Sequence, residues 1–86
     1  MDKAHLEEVA AYIREHRSNE ENFEKLNAKL KEEAVNNTPG LSMQDIQTRA
    51  DEYRKAKETG GSAWPEFEKF VSQFEKAVVE AIREAG

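Results

Sequence analysis

The chain has 86 residues, no cysteine, and 13 Lys and Arg against 18 Asp and Glu, for a formal net charge of −5. That length predicts a single domain that buries only about 60% of its unfolded-chain surface, so its core must be efficient. No thiol is present for a disulfide or thiolate metal site, and the basic residues alternate with acidic ones, which excludes the basic stripe of a nucleic-acid binder and weakens a membrane-surface reading. Leu, Ile, Val and Phe fall slightly below the ~20% that begins to suggest disorder, yet they recur with a regular period, so order is expected.

The first predicted helix covers residues 2–17. Leu6, Val9, Ala10 and Ile13 repeat every three to four residues, with Tyr12 and His16 at the edge of the stripe. Ser18-Asn19-Glu20-Glu21 has the pattern of a capping box, with Ser18 as N-cap and Glu21 reaching back. The second helix, residues 19–35, presents Phe23, Leu26, Leu30 and Ala34, and Glu21 with Lys25 is spaced as a favourable pair. Asn36-Asn37-Thr38-Pro39-Gly40 is the strongest break in the chain, because Asn and Gly accept positive φ and Pro lacks a donor. A short extra helical turn fits within residues 36–42.

Ser42 is placed to cap a third helix over residues 43–59, with Leu41 and Ile46 positioned as a hydrophobic staple. Its apolar face is thin, made of Met43, Ile46, Ala50, Tyr53 and Ala56. Gly60-Gly61 ends it, and Ser62 reads as the cap of a fourth helix over residues 63–85, where Pro65 falls in the tolerant first turn. Trp64, Phe67, Phe70, Val71, Phe74, Ala77, Val78, Ala81 and Ile82 make this helix, about 33 Å long, the spine of the core. Four amphipathic helices with short joints predict an all-α, compact four-helix bundle.

Candidate chemistry is sparse. His5 and His16 share a face of the first helix but stand about 16 Å apart along it, too far to chelate one metal, and His5 with Glu8 is the weak ligand pair that remains. Most carboxylates fall on polar faces; Glu33 lies nearest a stripe edge and is the acid to test for burial. Ser18, Ser42 and Ser62 are explained by capping, Ser72 lies on a polar face, and Gly60-Gly61 lacks the Lys of a phosphate loop. The aromatic run Trp64, Phe67, Phe70 and Phe74 is needed as core before it can line a pocket. Tyr12 and Val79 lie off the main stripes, where a shallow patch would support weak self-association.

The caps at Ser18, Ser42 and Ser62, the Leu41/Ile46 staple and charged faces such as Lys29-Leu30-Lys31-Glu32-Glu33 resemble those of a computationally designed helical bundle. Asn22, Asn27, Gln47-Thr48 and the Asn36-Asn37-Thr38-Pro39 joint depart from idealised designs and suggest either a design assembled from pieces of natural helical proteins or a natural domain with an edited surface. The resemblance implies a monomeric structural scaffold with no biochemical activity, no enzyme site, no cofactor and no required partner. Acyl-CoA-binding proteins are similar in length and helix number, but Tyr53-Arg54-Lys55 and Trp64 only echo their ligand motif. The alternative reading is a small natural interaction module with an apolar groove between helices three and four. No transmembrane run or signal peptide is legible, so a soluble protein of cytoplasmic type is expected, with its compartment unassigned.

Overall fold

The computed structural model describes residues 2–85. It is all-helical, with four α-helices and no strand among the described residues: α1 (Lys3–His16), α2 (Phe23–Val35), α3 (Met43–Glu58) and α4 (Trp64–Ala85). A 3-10 turn, Glu20–Asn22, leads into α2. None of the described helices is long and apolar enough to cross a membrane. The molecule is elongated, with principal extents of 45 × 23 × 16 Å.

Each helix starts or stops for a local reason. Asp2 is extended and its carboxylate accepts from Ala4 N at 3.4 Å, supplying one of the orphan donors of α1. Ser42 does the same for α3, accepting from Asp45 N at 3.4 Å, while Leu41 is partly buried against the core to which Ile46 belongs. Helix α3 ends in a Schellman motif: Gly60 N donates to Lys57 O and Gly61 N to Ala56 O, with Gly60 at φ +80°. Helix α2 ends the same way, with Asn37 at φ +61° standing where Gly is usual; Asn37 N donates to Ala34 O and Thr38 N to Glu33 O.

Four expectations about the joints are corrected. Ser18 is exposed and is not the cap. Asn19 holds that place, its Oδ1 accepting from Glu21 N at 3.0 Å, because the chain turns one residue later than the capping-box reading requires. The Glu21–Lys25 pair does not form, since Glu21 lies in the tighter 3-10 turn, where each residue advances about 120° and residues four apart no longer share a face. The first backbone bond of α4 runs from Phe67 N to Ala63 O, so Ala63 occupies the cap position and Ser62 lies one residue outside. Residues 36–42 form turns rather than an extra helical turn.

One hydrophobic cluster draws on all four helices. Leu6, Val9, Ala10 and Ile13 meet Phe23, Leu26, Leu30, Ile46, Ala50, Tyr53, Phe67, Val71, Phe74 and Val78. Ala34, Leu41, Trp64, Phe70, Ala81 and Ile82 are partly covered at its margin. The start of α1 meets the end of α2 through His5 and Glu33, and the start of α2 meets the end of α3 through stacked Phe23 and Tyr53 rings. Arg14 and Arg17 hold α1 to α4 through Glu75, at 2.9 and 3.1 Å, and Arg17 also donates to Ser72 Oγ. Gly40, at φ +86°, lets the loop lie on α4; a Cβ there would stand 2.6 Å from Ala77 Cβ.

Candidate functional site

Glu33, on the last turn of α2, is fully buried, as its place near the stripe edge suggested. The Schellman end of α2 then decides its surroundings. Folding the chain back so that Thr38 N reaches Glu33 O sets the Thr38 hydroxyl over the same residue, and Thr38 Oγ1 donates to Glu33 Oε1 at 2.8 Å. From the first turn of α1, His5 Nε2 lies 2.7 Å from that oxygen. Lys29, one turn earlier on α2, brings its ammonium to 3.5 Å from Glu33 Oε2, which accepts no hydrogen bond. Burial alone would push the Glu33 carboxyl up. The hydrogen bonds from His5 and Thr38, with the attraction of His5 and Lys29, outweigh it and hold the group below its ordinary range.

This cluster ties three segments through one carboxylate. It lacks the features of a metal centre: no group of three or more His, Cys, Asp or Glu side chains converges among the described residues. The two histidines have separate partners. His16 Nδ1 donates to Tyr12 O at 2.7 Å, and the two rings stack with centroids 4.0 Å apart. Thr38 and Lys29 were not singled out in the sequence. The only signal for Thr38 was its place just after an Asn able to take positive φ, which is the geometry that returns a chain onto its own helix end.

A second polar cluster sits at the opposite end. A cleft of about 460 Å³ runs between the 3-10 turn with α2 and α3, lined by Glu20, Phe23, Tyr53, Arg54 and Lys57 among others. Its floor is the Phe23–Tyr53 stack, centroids 4.2 Å apart. The Tyr53 hydroxyl donates to Glu20 Oε2, and Lys57 Nζ lies 3.3 Å from the same oxygen. The Tyr53 hydrogen bond, more than Lys57, holds the Glu20 carboxyl down, while burial first and then Glu20 push the Tyr53 phenol up. Arg54 lies 3.4 Å from Glu24 and covers the Phe23 ring at 5.3 Å. Both cations of the cleft are thus engaged with acids of α2 or its 3-10 turn.

The remaining sequence candidates separate. Phe67, Phe74 and Tyr53 are core, and Trp64 and Phe70 are half-buried at its edge. Between α3 and α4, a shallow groove of about 250 Å³ is lined by Arg49, Glu66, Lys69, Phe70 and Gln73, with the Arg49 guanidinium 5.9 Å above the Phe70 ring. Tyr12 is covered by His16 and, at 5.4 Å, by Lys29 from α2. Val79 lies in a groove along α4 among Glu75, Lys76, Glu80 and Arg83. No protein-family model, curated protein or solved structure matches this chain.

Proposed function

We propose that the chain is a four-helix bundle acting as a structural scaffold of computationally designed type, a monomer whose property is its fold. The observation that carries this reading is the placement of apolar surface. Among the described residues, Val35 is the one large hydrophobic side chain that stands exposed, at 71%. Monomers that bind partners through apolar contact expose a contiguous patch instead. Local consistency supports the same reading: Asp2, Asn19 and Ser42 cap, two helices end in Schellman motifs, and the outer faces are charged. The buried Asn27, Glu33 and Thr38 fit a scaffold assembled from natural helical pieces better than an idealised one.

The interaction-module reading gains if Phe67, Phe70 or Tyr53 is exposed in a continuous patch between α3 and α4. Phe67 and Tyr53 are instead 2% and 4% exposed, and Arg49 lies over Phe70. Heat denaturation followed by helical circular dichroism tests the scaffold. Little loss of signal by about 90 °C is the expected result, whereas a cooperative melt at ~45–65 °C would favour a natural module. Light scattering during size-exclusion chromatography tests the monomer, and a dimer mass at micromolar concentration would contradict it.

A further inference from the structure

Within the Glu33 cluster the carboxylate and Thr38 are buried, while His5 and Lys29 are partly exposed. The His5 side chain is 31% exposed, its Nε2 turned to Glu33 Oε1. An ionised carboxylate is an acceptor only, and Glu33 is held ionised at neutral pH, so the shared proton belongs on Nε2 when the ring is neutral. Nδ1 then carries the lone pair. It makes no hydrogen bond within the described residues and is not among their buried unpaired atoms, so on this partly exposed ring it keeps access to solvent. An imidazole with its tautomer set by an ionised carboxylate, and its other nitrogen open, is the unit that drives proton and acyl transfer in hydrolytic sites.

The surroundings favour this arrangement. From α2, Lys29 stands 3.5 Å from Glu33 Oε2 and supports its negative charge. The segment 36–42 contributes the Thr38 hydroxyl and no charged group, while Asp2 and Glu8 lie about one turn from His5 along α1. His16 provides an internal contrast: its Nδ1 proton is held by the neutral carbonyl of Tyr12, with no carboxylate behind the ring.

We propose that His5 is a nucleophile toward activated carboxylic esters, with Glu33 as its positioning residue. The Nδ1 lone pair attacks the ester carbonyl carbon, the bond to the aryl oxygen breaks, and its electron pair leaves with the aryloxide. Glu33 stabilises the resulting acylimidazolium through the Nε2–H bond. Water then adds to the acyl carbon, the carbon–nitrogen bond breaks with its pair returning to Nδ1, and both protons of the water pass to solvent. The products are a carboxylate, an aryloxide and the regenerated ring. No pocket for a particular acyl group borders His5 in the clefts described above, so the substrate class is set by leaving-group reactivity. This activity goes beyond the scaffold reading and does not rest on it.

The test is release of nitrophenolate from p-nitrophenyl acetate at neutral pH by the intact chain. His5→Gln is expected to lose at least about tenfold of the rate above buffer, and His16→Gln to keep most of it. Loss of equal size in both variants, or a wild-type rate per ring no higher than that of free imidazole, would overturn the proposal. Reaction of the folded wild type with diethyl pyrocarbonate, read by peptide mass spectrometry, needs no variant. His5 should modify faster than His16, and the reverse order would sink the assignment. For Glu33, heteronuclear NMR of the neutral ring should show the proton on Nε2 in the wild type. A folded Glu33→Gln chain should lose that single tautomer and several-fold of the rate; a full rate there would remove Glu33 from the mechanism.

Discussion

Two glutamates at opposite ends of the molecule solve the same problem in different ways. Glu20 sits at the rim of the aromatic end, where the Tyr53 hydroxyl and Lys57 reach it from one helix and water reaches its other side. Glu33 lies inside the other end, where His5, Thr38 and Lys29 converge from two helices and a loop, and one of its oxygens still lacks a hydrogen bond. Both carboxyls are held below their ordinary range. The rim arrangement rests on Phe23, Tyr53, Trp64 and Phe67, which bury area regardless of the charge beside them. The interior arrangement stands only while every partner is present, because an unpaired buried charge is far more expensive than an absent one.

Removing the apolar support of the rim has the largest expected effect. Phe67→Ala takes out a ring that contacts Phe23, Tyr53, Trp64 and Phe70, and should cost about 3–5 kcal/mol in denaturant unfolding. Next comes the interior carboxylate. Glu33→Ala removes the buried carboxylate that His5, Thr38 and Lys29 share, while half-exposed His5 recovers water, so a loss of about 2 kcal/mol is expected. A change below about 0.5 kcal/mol would show that the clasp contributes nothing.

Acid sharpens the contrast between the ends. A folded-state pKa below the ordinary value of 4.5 means that ionised Glu33 contributes stability above that pH, and loses it as pH falls through the depressed folded value. The stability of the wild type should therefore fall more steeply below pH 4.5 than that of Glu33→Gln, measured by urea titration at stepped pH. Parallel curves would mean that Glu33 has the same pKa folded and unfolded.

The joints give smaller effects. Asn19→Ala removes the cap of the 3-10 turn and should cost about 1 kcal/mol, whereas Ser18→Ala should stay within about 0.5 kcal/mol. Equal losses would restore the capping-box reading. At the interior end, Asn37→Gly relieves a positive φ of 61° and should stabilise by about 0.5 kcal/mol while keeping Thr38 over Glu33. If it destabilises, the Asn37 side chain has a role beyond its backbone angle.

The α-helical plan was legible because apolar spacing and helix-breaking residues are local properties. Leu6, Val9 and Ile13 mark the inner face of α1 in the sequence, and Gly60-Gly61 marks the end of α3, where the structure finds a Schellman turn. Glu33 was flagged by its position at the edge of a stripe. Its pairing with His5, a candidate in its own right, was not, since the two are 28 residues apart, and only the turn geometry at Asn37 brings Thr38 back onto it. Ser18 misled because several polar residues in that joint can cap and the direction in which the next helix leaves selects one of them; Ser62 misled because α4 begins one residue later, with apolar Ala63 at the cap position.

By itself, then, the sequence determined that the chain is helical, where its four long segments lie, and which faces turn inward, because periodicity and capping act over a few residues. Tertiary structure decided which helix ends meet. It brought a histidine of α1 to the buried carboxylate that Lys29 and Thr38 reach from its own helix and the turn after it, where burial removes the water that would otherwise have solvated each group separately.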